Sequence, residues 1–168
     1  MSHRIPEPVE VVDYDPAWPN EFERLKSRAL GVLGGLAVAV EHVGSTAVPG
    51  LAAKPVVDIY VVVEDVPVAI ERLAGLGYAH EGDLGIPGRE GFAWPAGEPR
   101  HHLYVCARDH EGLDEVLRFR DYLRAHPEDA RAYGELKRGL AERHRHDRDA
   151  YAEGKTSFIE GVLVASRQ

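Results

Sequence analysis

A glycine and hydroxyl turn, followed by a carboxylate on a strand, is the segment of this sequence with the clearest chemical meaning. Gly44, Ser45 and Thr46 end one apolar run, and Asp58 lies in the next. Backbone amides at a glycine turn and the two hydroxyls can bind phosphate oxygens. A carboxylate facing such a turn can hold Mg²⁺ against a nucleotide, and Lys54 can add positive charge. The pattern predicts a site for a nucleotide or another small phosphorylated ligand, with Asp58 and Ser45 as candidate catalytic residues.

Two adjacent histidines offer a second metal ligand. His101 and His102 lie in a segment with strand-like alternation, so they point to opposite faces and only one of them can face the site. His102 is two residues from Tyr104, so the two side chains lie on the same face of the strand. We assign His102 to the site with Asp58. This ligand pair suits Zn²⁺ or Mn²⁺ better than Mg²⁺. A hydrogen-bonded structural histidine is the alternative for His102.

Later helical segments carry further cations. Arg120 and Arg124 are four residues apart and share a helix face, where they can form a positive rim for phosphate. An ion pair with Asp121 is the alternative. Tyr151 and Lys155 have the same spacing and can reach the same anion or simply pack. The predicted phosphate-binding set is Gly44, Ser45, Thr46, Lys54, Arg120, Arg124 and Lys155.

Predicted strands bracket the turn. Residues 38–43 enter it, and residues 56–63 form a strand that is apolar on both faces, as in the interior of a sheet. Phe92 and Trp94 mark another strand, which we expect to lie antiparallel to the strand that contains His102. The predicted sheet is short and mixed.

Helices are predicted before, between and after the strands. Asp15 and Pro16 are typical of a helix start. Apolar residues then recur at helical spacing, as in a core-facing helix: Trp18, Phe22, Leu25, Ala29 and Leu33. A short helix follows at about 67–76, and the C-terminal third is helical, at 111–125, 128–150 and 156–166. The prediction is one α/β (α+β) domain over residues 1–168, with helices flanking the sheet.

Composition limits the classes of function. The 168 residues carry 20 basic and 28 acidic side chains, a net charge of −8. This charge argues against sequence-independent binding of nucleic acid, whereas it is compatible with a local basic pocket for a small anion. The sequence has neither a signal-peptide core nor an apolar run of membrane-spanning length, so we predict a cytoplasmic protein without membrane contact. Cys106 is predicted to be a small core thiol. The oligomeric state stays open.

Several segments carry a resemblance to a known family. The sequences HVGSTAVPGL and AAKPVVDI around the turn, FRDYLRAHP further on, and the late Tyr and Lys pair are similar to the GrpB family over nearly the full chain. Members of that family are assigned a nucleotidyltransferase-like fold, related to the catalytic core of polymerase β, in which a Gly-Ser turn precedes an Asp-x-Asp strand. The resemblance implies that Gly44 and Ser45 form the phosphate-binding turn and that Asp58 is the first metal ligand.

One position departs from the active pattern of that superfamily. The second carboxylate of the Asp-x-Asp strand is replaced by Tyr60. Two-metal phosphoryl transfer needs clustered oxygen ligands around ions about 4 Å apart, and a phenol with a pKa of about 10 is a poor substitute. Two interpretations follow: an altered metal centre built on Asp58 and His102, or ligand binding without transfer.

Three functions are compatible with these features. The first is metal-dependent transfer of a nucleotidyl or phosphoryl group. The second is a non-catalytic ligand-binding or regulatory domain, which the resemblance supports because GrpB-like domains also occur fused to dephospho-CoA kinases. The third is a structural protein whose ancestral site has decayed. Tyr60 argues against transfer and leaves binding untouched.

Overall fold

The computed structural model describes residues 7–167, which form a five-stranded mixed sheet flanked by helices. The strands are β1 (Ala37–Val43), β2 (Val57–Val63), β3 (Ala79–Gly82), β4 (Arg89–Ala93) and β5 (His101–Cys106). The helices are α1 (Trp18–Leu33), α2 (Val66–Ala74), α3 (Glu111–Ala125), α4 (Pro127–Arg143), α5 (Arg148–Gly154) and α6 (Thr156–Ala165). The strand order is β1-β2-β5-β4-β3, with β2 and β5 parallel and the other neighbours antiparallel. Across residues 7–167, no helix is long and apolar enough to cross a bilayer.

Helix α1 covers one face of the sheet. Its five predicted core residues are all buried, and they pack with Ile59, Val61 and Val63 of β2. The helix begins at Trp18 and not at the predicted Pro16. The reason is that Asp15 accepts a hydrogen bond from the backbone amide of Ala17 at 2.8 Å, in a turn ahead of the helix.

Helix α3 covers the opposite face of the sheet. Tyr60 and Val62 of β2 and Cys106 of β5 lie on that face and pack against Leu117. Cys106 is fully buried, and burial raises the pKa of its thiol to about 11. Its predicted place in the core is therefore confirmed. The mixed sheet, the helices on both faces and the helical C-terminal third confirm the predicted α/β (α+β) class.

Elsewhere, two predicted elements have wrong bounds and one strand was missed. The single helix predicted at 128–150 is two helices, because the side chain of Asp147 accepts the amide proton of Ala150 at 3.0 Å and starts α5 as its cap. Strand β3 was missed, since its residues are largely exposed and pair only with β4 along one edge. Strand β4 ends at Ala93, before Trp94.

Candidate functional site

A pocket of about 200 Å³ lies at the start of the parallel strands β2 and β5, beside α4 and α5. It brings together most of the residues that the sequence assigns to the site: Gly44, Ser45, Thr46, Lys54, Asp58, His102 and Lys155. Tyr133, Lys137 and Tyr151 complete its polar lining. Arg120 and Arg124 are not part of that lining.

The turn after β1 is shaped by one glycine. Gly44 has a φ of +74°, and a Cβ at this position would lie 2.5 Å from Oδ2 of Asp58. Only glycine combines that conformation with so close an approach. Ser45–Ala47 then form a 3₁₀ turn, in which the amide of Val48 donates to the carbonyl of Ser45 at 3.2 Å. The turn is therefore packed directly against the carboxylate of Asp58.

The two hydroxyls of the turn have different surroundings. Thr46 is 1% exposed, and its Oγ1 lies 2.9 Å from Nε2 of His42, whose ring stacks on Phe22. Burial, with Arg124 as a smaller cause, lowers the pKa of His42 to about 4, so this imidazole is neutral. Ser45 instead lies beside the phenol of Tyr133, on the side of α4, and it opposes the rise in the pKa of that phenol that burial causes. Of the two hydroxyls, the one of Ser45 is better placed to meet a ligand.

Asp58 and His102 form a pair across the two parallel strands. They are register partners, and His102 Nδ1 lies 2.8 Å from Asp58 Oδ1. About a third of each side chain is exposed, 31% for Asp58 and 36% for His102. His101 faces the other way, is 1% exposed and has its Nε2 2.7 Å from the hydroxyl of Tyr78. The predicted opposite orientation of the two histidines is confirmed.

Lys137 is the charged residue of the pocket that the sequence analysis missed. It is 2% exposed, although it carries an amine. Its Nζ has no hydrogen-bond partner within residues 7–167, and it lies 4.7 Å from the centre of the Tyr133 ring. Burial is the largest cause and the nearby charges of Lys155 and Lys54 are smaller ones; together they lower the pKa of Lys137 to about 7. This amine faces a cavity and lacks an acceptor.

Two more lysines share one aromatic ring. The ammonium of Lys54 lies 5.3 Å and that of Lys155 4.8 Å from the centre of the Tyr151 ring. An aromatic face attracts cations. Burial lowers the pKa of both lysines, that of Lys155 to about 8. Three lysines therefore face one carboxylate, Asp58, and the pocket is positive within a chain of net charge −8.

The donor set does not fit the two-metal centre that a nucleotidyltransferase-like fold implies. Among the described residues, no group of three histidine, cysteine, aspartate or glutamate side chains could hold an ion. Tyr60, at the position of the second carboxylate, is 5% exposed and packs edge-on against Tyr104 with ring centres 5.4 Å apart. The three lysines also repel a divalent cation. A single-ion site on Asp58 and His102 stays a prediction.

The arginines of α3 support the turn from outside the pocket. Arg120 Nη1 donates to Oε2 of Glu41 at 2.6 Å and to the carbonyl of His42 at 3.1 Å. Arg124 Nε donates to the carbonyl of Ala47 at 2.9 Å. Arg120 also forms the ion pair with Asp121 that the sequence analysis kept as the alternative. In this geometry both guanidinium groups hold the backbone around the turn.

We expect Arg120→Met to destabilise the fold by about 2 kcal/mol, because it removes a charge-assisted pair and leaves Glu41 without its partner. Phosphate affinity should fall only slightly, since the guanidinium does not line the pocket. Urea unfolding and calorimetric titration with methyl phosphate measure the two effects, and Arg131→Met on exposed Arg131 is the control. A large loss of affinity in a stably folded Arg120→Met protein would restore the predicted phosphate contact.

Comparison with known proteins identifies the family. The family described as GrpB protein matches residues 8–164. The chain is 34% identical over 155 residues to the UPF0157 protein YqkA of Bacillus subtilis, covering 90% of this chain and 45% of that protein. It is 32% identical over 181 residues to a dephospho-CoA kinase of Mycolicibacterium paratuberculosis, covering 90% of this chain and 44% of that protein. The chain thus spans less than half the length of these two relatives.

A solved structure has the same fold. The crystal structure of the conserved protein GrpB from Enterococcus faecalis matches with a TM-score of 0.85 at 34% sequence identity, covering 94% of this chain and 96% of that chain. This match confirms the nucleotidyltransferase-like fold that the resemblance implied. Since the family match extends over nearly the whole chain and the structure agrees with it, this protein belongs to the GrpB family.

Proposed function

We propose that this protein binds the phosphate group of a small phosphorylated molecule or nucleotide, and that lysines rather than a metal ion hold that phosphate. The observation that carries the proposal is Lys137, a buried amine that faces a pocket together with Lys54 and Lys155 and finds no acceptor among residues 7–167. An anion between the three amines would give each of them a partner.

The energetics of burial support an anionic ligand. Removing an ammonium from water without a partner costs several kcal/mol, which a chain sustains only where something offsets it. Among residues 7–167, the carboxylate that lines this pocket is Asp58, and one of its oxygens is already hydrogen-bonded to His102. A phosphate offers several oxygen acceptors to the amines, and the hydroxyl of Ser45 can donate to the same group.

The size of the pocket limits what it can enclose. Typical pockets for small molecules measure about 300–1,000 Å³. At about 200 Å³, this pocket has room for a phosphate and a few further atoms. A nucleotide would therefore bind with its phosphate inside the pocket and its base outside.

A non-catalytic domain associated with coenzyme A metabolism is the second candidate function. The match to a mycobacterial dephospho-CoA kinase favours it, because this chain corresponds to part of that longer protein. Coenzyme A and its precursors carry phosphate groups and suit the same pocket chemically. Transfer chemistry at Asp58 and Ser45 is the least supported extension, since the part of the chain that the structure describes does not supply the carboxylates of a two-metal centre.

We expect Asp58→Asn to raise the affinity for methyl phosphate about fivefold. The substitution keeps the shape of the side chain and removes the one negative charge that opposes the anion, which corresponds to about 1 kcal/mol at a partly solvated site. Calorimetric titration of wild type and variant in the presence of EDTA measures the change. A metal-mediated site predicts the reverse, namely binding that needs Mg²⁺, Mn²⁺ or Zn²⁺ and is lost in Asp58→Asn.

A thermal-shift screen identifies the ligand in parallel. A ligand that binds only the folded state must raise the melting temperature, so we would compare inorganic phosphate, methyl phosphate, adenosine monophosphate and coenzyme A precursors. Where a pocket lysine is replaced by methionine, Lys26→Met is the matched control for the loss of a positive charge, because Lys26 lies outside the pocket lining. If no phosphorylated compound shifts the melting temperature even at millimolar concentration, the proposed function is wrong.

A further inference from the structure

We infer that the pocket selects a phosphate monoester in its dianionic form and takes up a proton from solution as the ligand binds, with Lys137 as the group that receives the proton. This inference rests on the proposed function and deepens it. It names the charge state of the ligand and predicts a pH dependence that a set of permanently charged lysines would not produce.

The surroundings of Lys137 explain why this amine is the acceptor of the proton. It lies at 2% exposure on the buried side of α4, and within the described part of the chain its Nζ has no hydrogen-bond partner. The face of the Tyr133 ring, 4.7 Å away, is its nearest described cation contact. Lys54 and Lys155 are each less buried and share the Tyr151 ring. The amine with the poorest solvation is therefore the one most easily left neutral.

The charged groups around Lys137 come from several elements. On α4 itself, Arg138 adds positive charge. The other groups that face the pocket are Lys54, Asp58, His102, Tyr151 and Lys155, with Tyr133 on the same helix. Of these, the carboxylate of Asp58 favours the protonated form of Lys137, and the lysines oppose it. Their combined effect and burial place the pKa of Lys137 at about 7.

Counting charge shows why a dianion brings a proton with it. With Lys137 neutral, Lys54 and Lys155 exceed Asp58 by one positive charge. A dianion then leaves the pocket with one net negative charge, and a proton on Lys137 balances it. A phosphate diester carries one negative charge and is balanced without that proton. The pocket with all three lysines protonated is thus matched to a monoester.

The direction of the pH effect follows from the same groups. An anion in the pocket raises the pKa of Lys137 above about 7 and that of Lys155 above about 8. At any pH between the pKa of such a lysine in the free protein and its pKa in the complex, the complex holds more protons than the free protein. Affinity therefore falls as the pH rises above 7, by up to about tenfold per pH unit for one proton.

The test titrates the whole protein with sulfate and with methyl phosphate at about pH 7.5, where a phosphate monoester is dianionic because its second pKa is near 6. Sulfate keeps its two charges over this range, so any proton taken up binds to the protein. Repeating the calorimetry in buffers with different ionisation enthalpies gives the number of protons. We expect an uptake approaching one proton, and an affinity for dimethyl phosphate at least about tenfold weaker than for methyl phosphate.

Two variants assign the proton. Lys137→Met should lose most of the uptake in its residual binding, whereas Lys155→Met should keep most of it, since the pKa of Lys155 is closer to that of a free lysine. Sulfate and methyl phosphate binding without proton uptake would overturn the inference and leave the proposed function standing. Undiminished uptake in Lys137→Met, or equal affinity for dimethyl phosphate, would also overturn it. If neither sulfate nor methyl phosphate binds, both this inference and the proposed function are wrong.

Discussion

Lys137→Met is expected to weaken methyl phosphate binding by at least about tenfold, because a charge-assisted hydrogen bond contributes about 1.5–3 kcal/mol. The same variant should stabilise the unliganded protein by about 1–2 kcal/mol, since an apolar side chain of similar length replaces a buried amine that has no hydrogen-bond partner in the described range 7–167. Opposite signs for binding and stability distinguish a functional charge from a structural one. Calorimetric titration and urea unfolding at pH 7 measure the two effects.

The gain in stability depends on pH in a definite direction. The pKa of Lys137 changes from 10.5 when unfolded to about 7 when folded. Between these values the unfolded chain binds more protons, so wild-type stability rises with pH. The advantage of Lys137→Met is therefore greatest below pH 7 and narrows toward pH 10.5. If Lys137→Met binds methyl phosphate as tightly as wild type, or is strongly destabilised at pH 7, Lys137 is not the phosphate-binding amine. The control Lys26→Met should change neither the affinity nor the stability appreciably.

Gly44→Ala is expected to lower stability by about 2–4 kcal/mol, the sum of a left-handed alanine and a steric overlap. The new Cβ would lie 2.5 Å from Oδ2 of Asp58, and the φ at this position is +74°. Asp58 or the turn must move, and both line the pocket. Affinity for methyl phosphate should therefore fall together with stability, as thermal unfolding and calorimetry can measure.

Gly50 provides a matched control for the backbone penalty. Its φ is +81°, and an added Cβ would meet nothing within 4 Å. Gly50→Ala should therefore lose only about 1–2 kcal/mol. The difference between the two variants measures the contact with Asp58, and it should shrink in an Asp58→Ala background, where that carboxylate is absent. Equal losses for Gly44→Ala and Gly50→Ala would show that the approach of the turn to Asp58 is unimportant.

Much of the fold was predictable because it follows from side-chain periodicity. The apolar spacing of α1 identified its buried face, and strand alternation placed His101 and His102 on opposite faces of the sheet. The same alternation put Asp58 and His102 within reach of each other, once β2 and β5 were known to be parallel neighbours. The periodicity of helices and strands was sufficient here, because the only question was on which of two faces of its element a side chain lies.

Lys137 was missed because its meaning depends on tertiary packing. Its signal in the sequence is a lysine within an apolar helical stripe, three or four residues from Tyr133, Gly134, Leu140 and Ala141. Such a lysine is more often found with its head group in water. Only the position of α4 against the turn after β1 shows that the amine ends in the pocket. That helix contact joins residues far apart in the chain, so no local pattern reveals it.

The two arginines of α3 show what helical spacing cannot predict, namely the partner of a correctly predicted helix face. Helical spacing correctly indicates that Arg120 and Arg124 lie on one face of α3. It does not indicate what that face meets. In the structure it meets the backbone at His42 and Ala47, and Glu41 of β1 supplies the counter-charge for Arg120. A shared face is a local property, whereas its partner is set by how the helix docks on the sheet.

The most direct test of the central claim is a crystal structure of the protein grown near pH 7 with tungstate, a dianion whose heavy atom can be located by anomalous scattering. The account predicts a tungstate in the pocket within hydrogen-bond distance of Nζ of Lys137, and close to Lys54 and Lys155. Tungstate bound only outside this pocket would contradict the account. So would a metal ion held by Asp58 and His102 in crystals that are supplied with both tungstate and divalent metal ions.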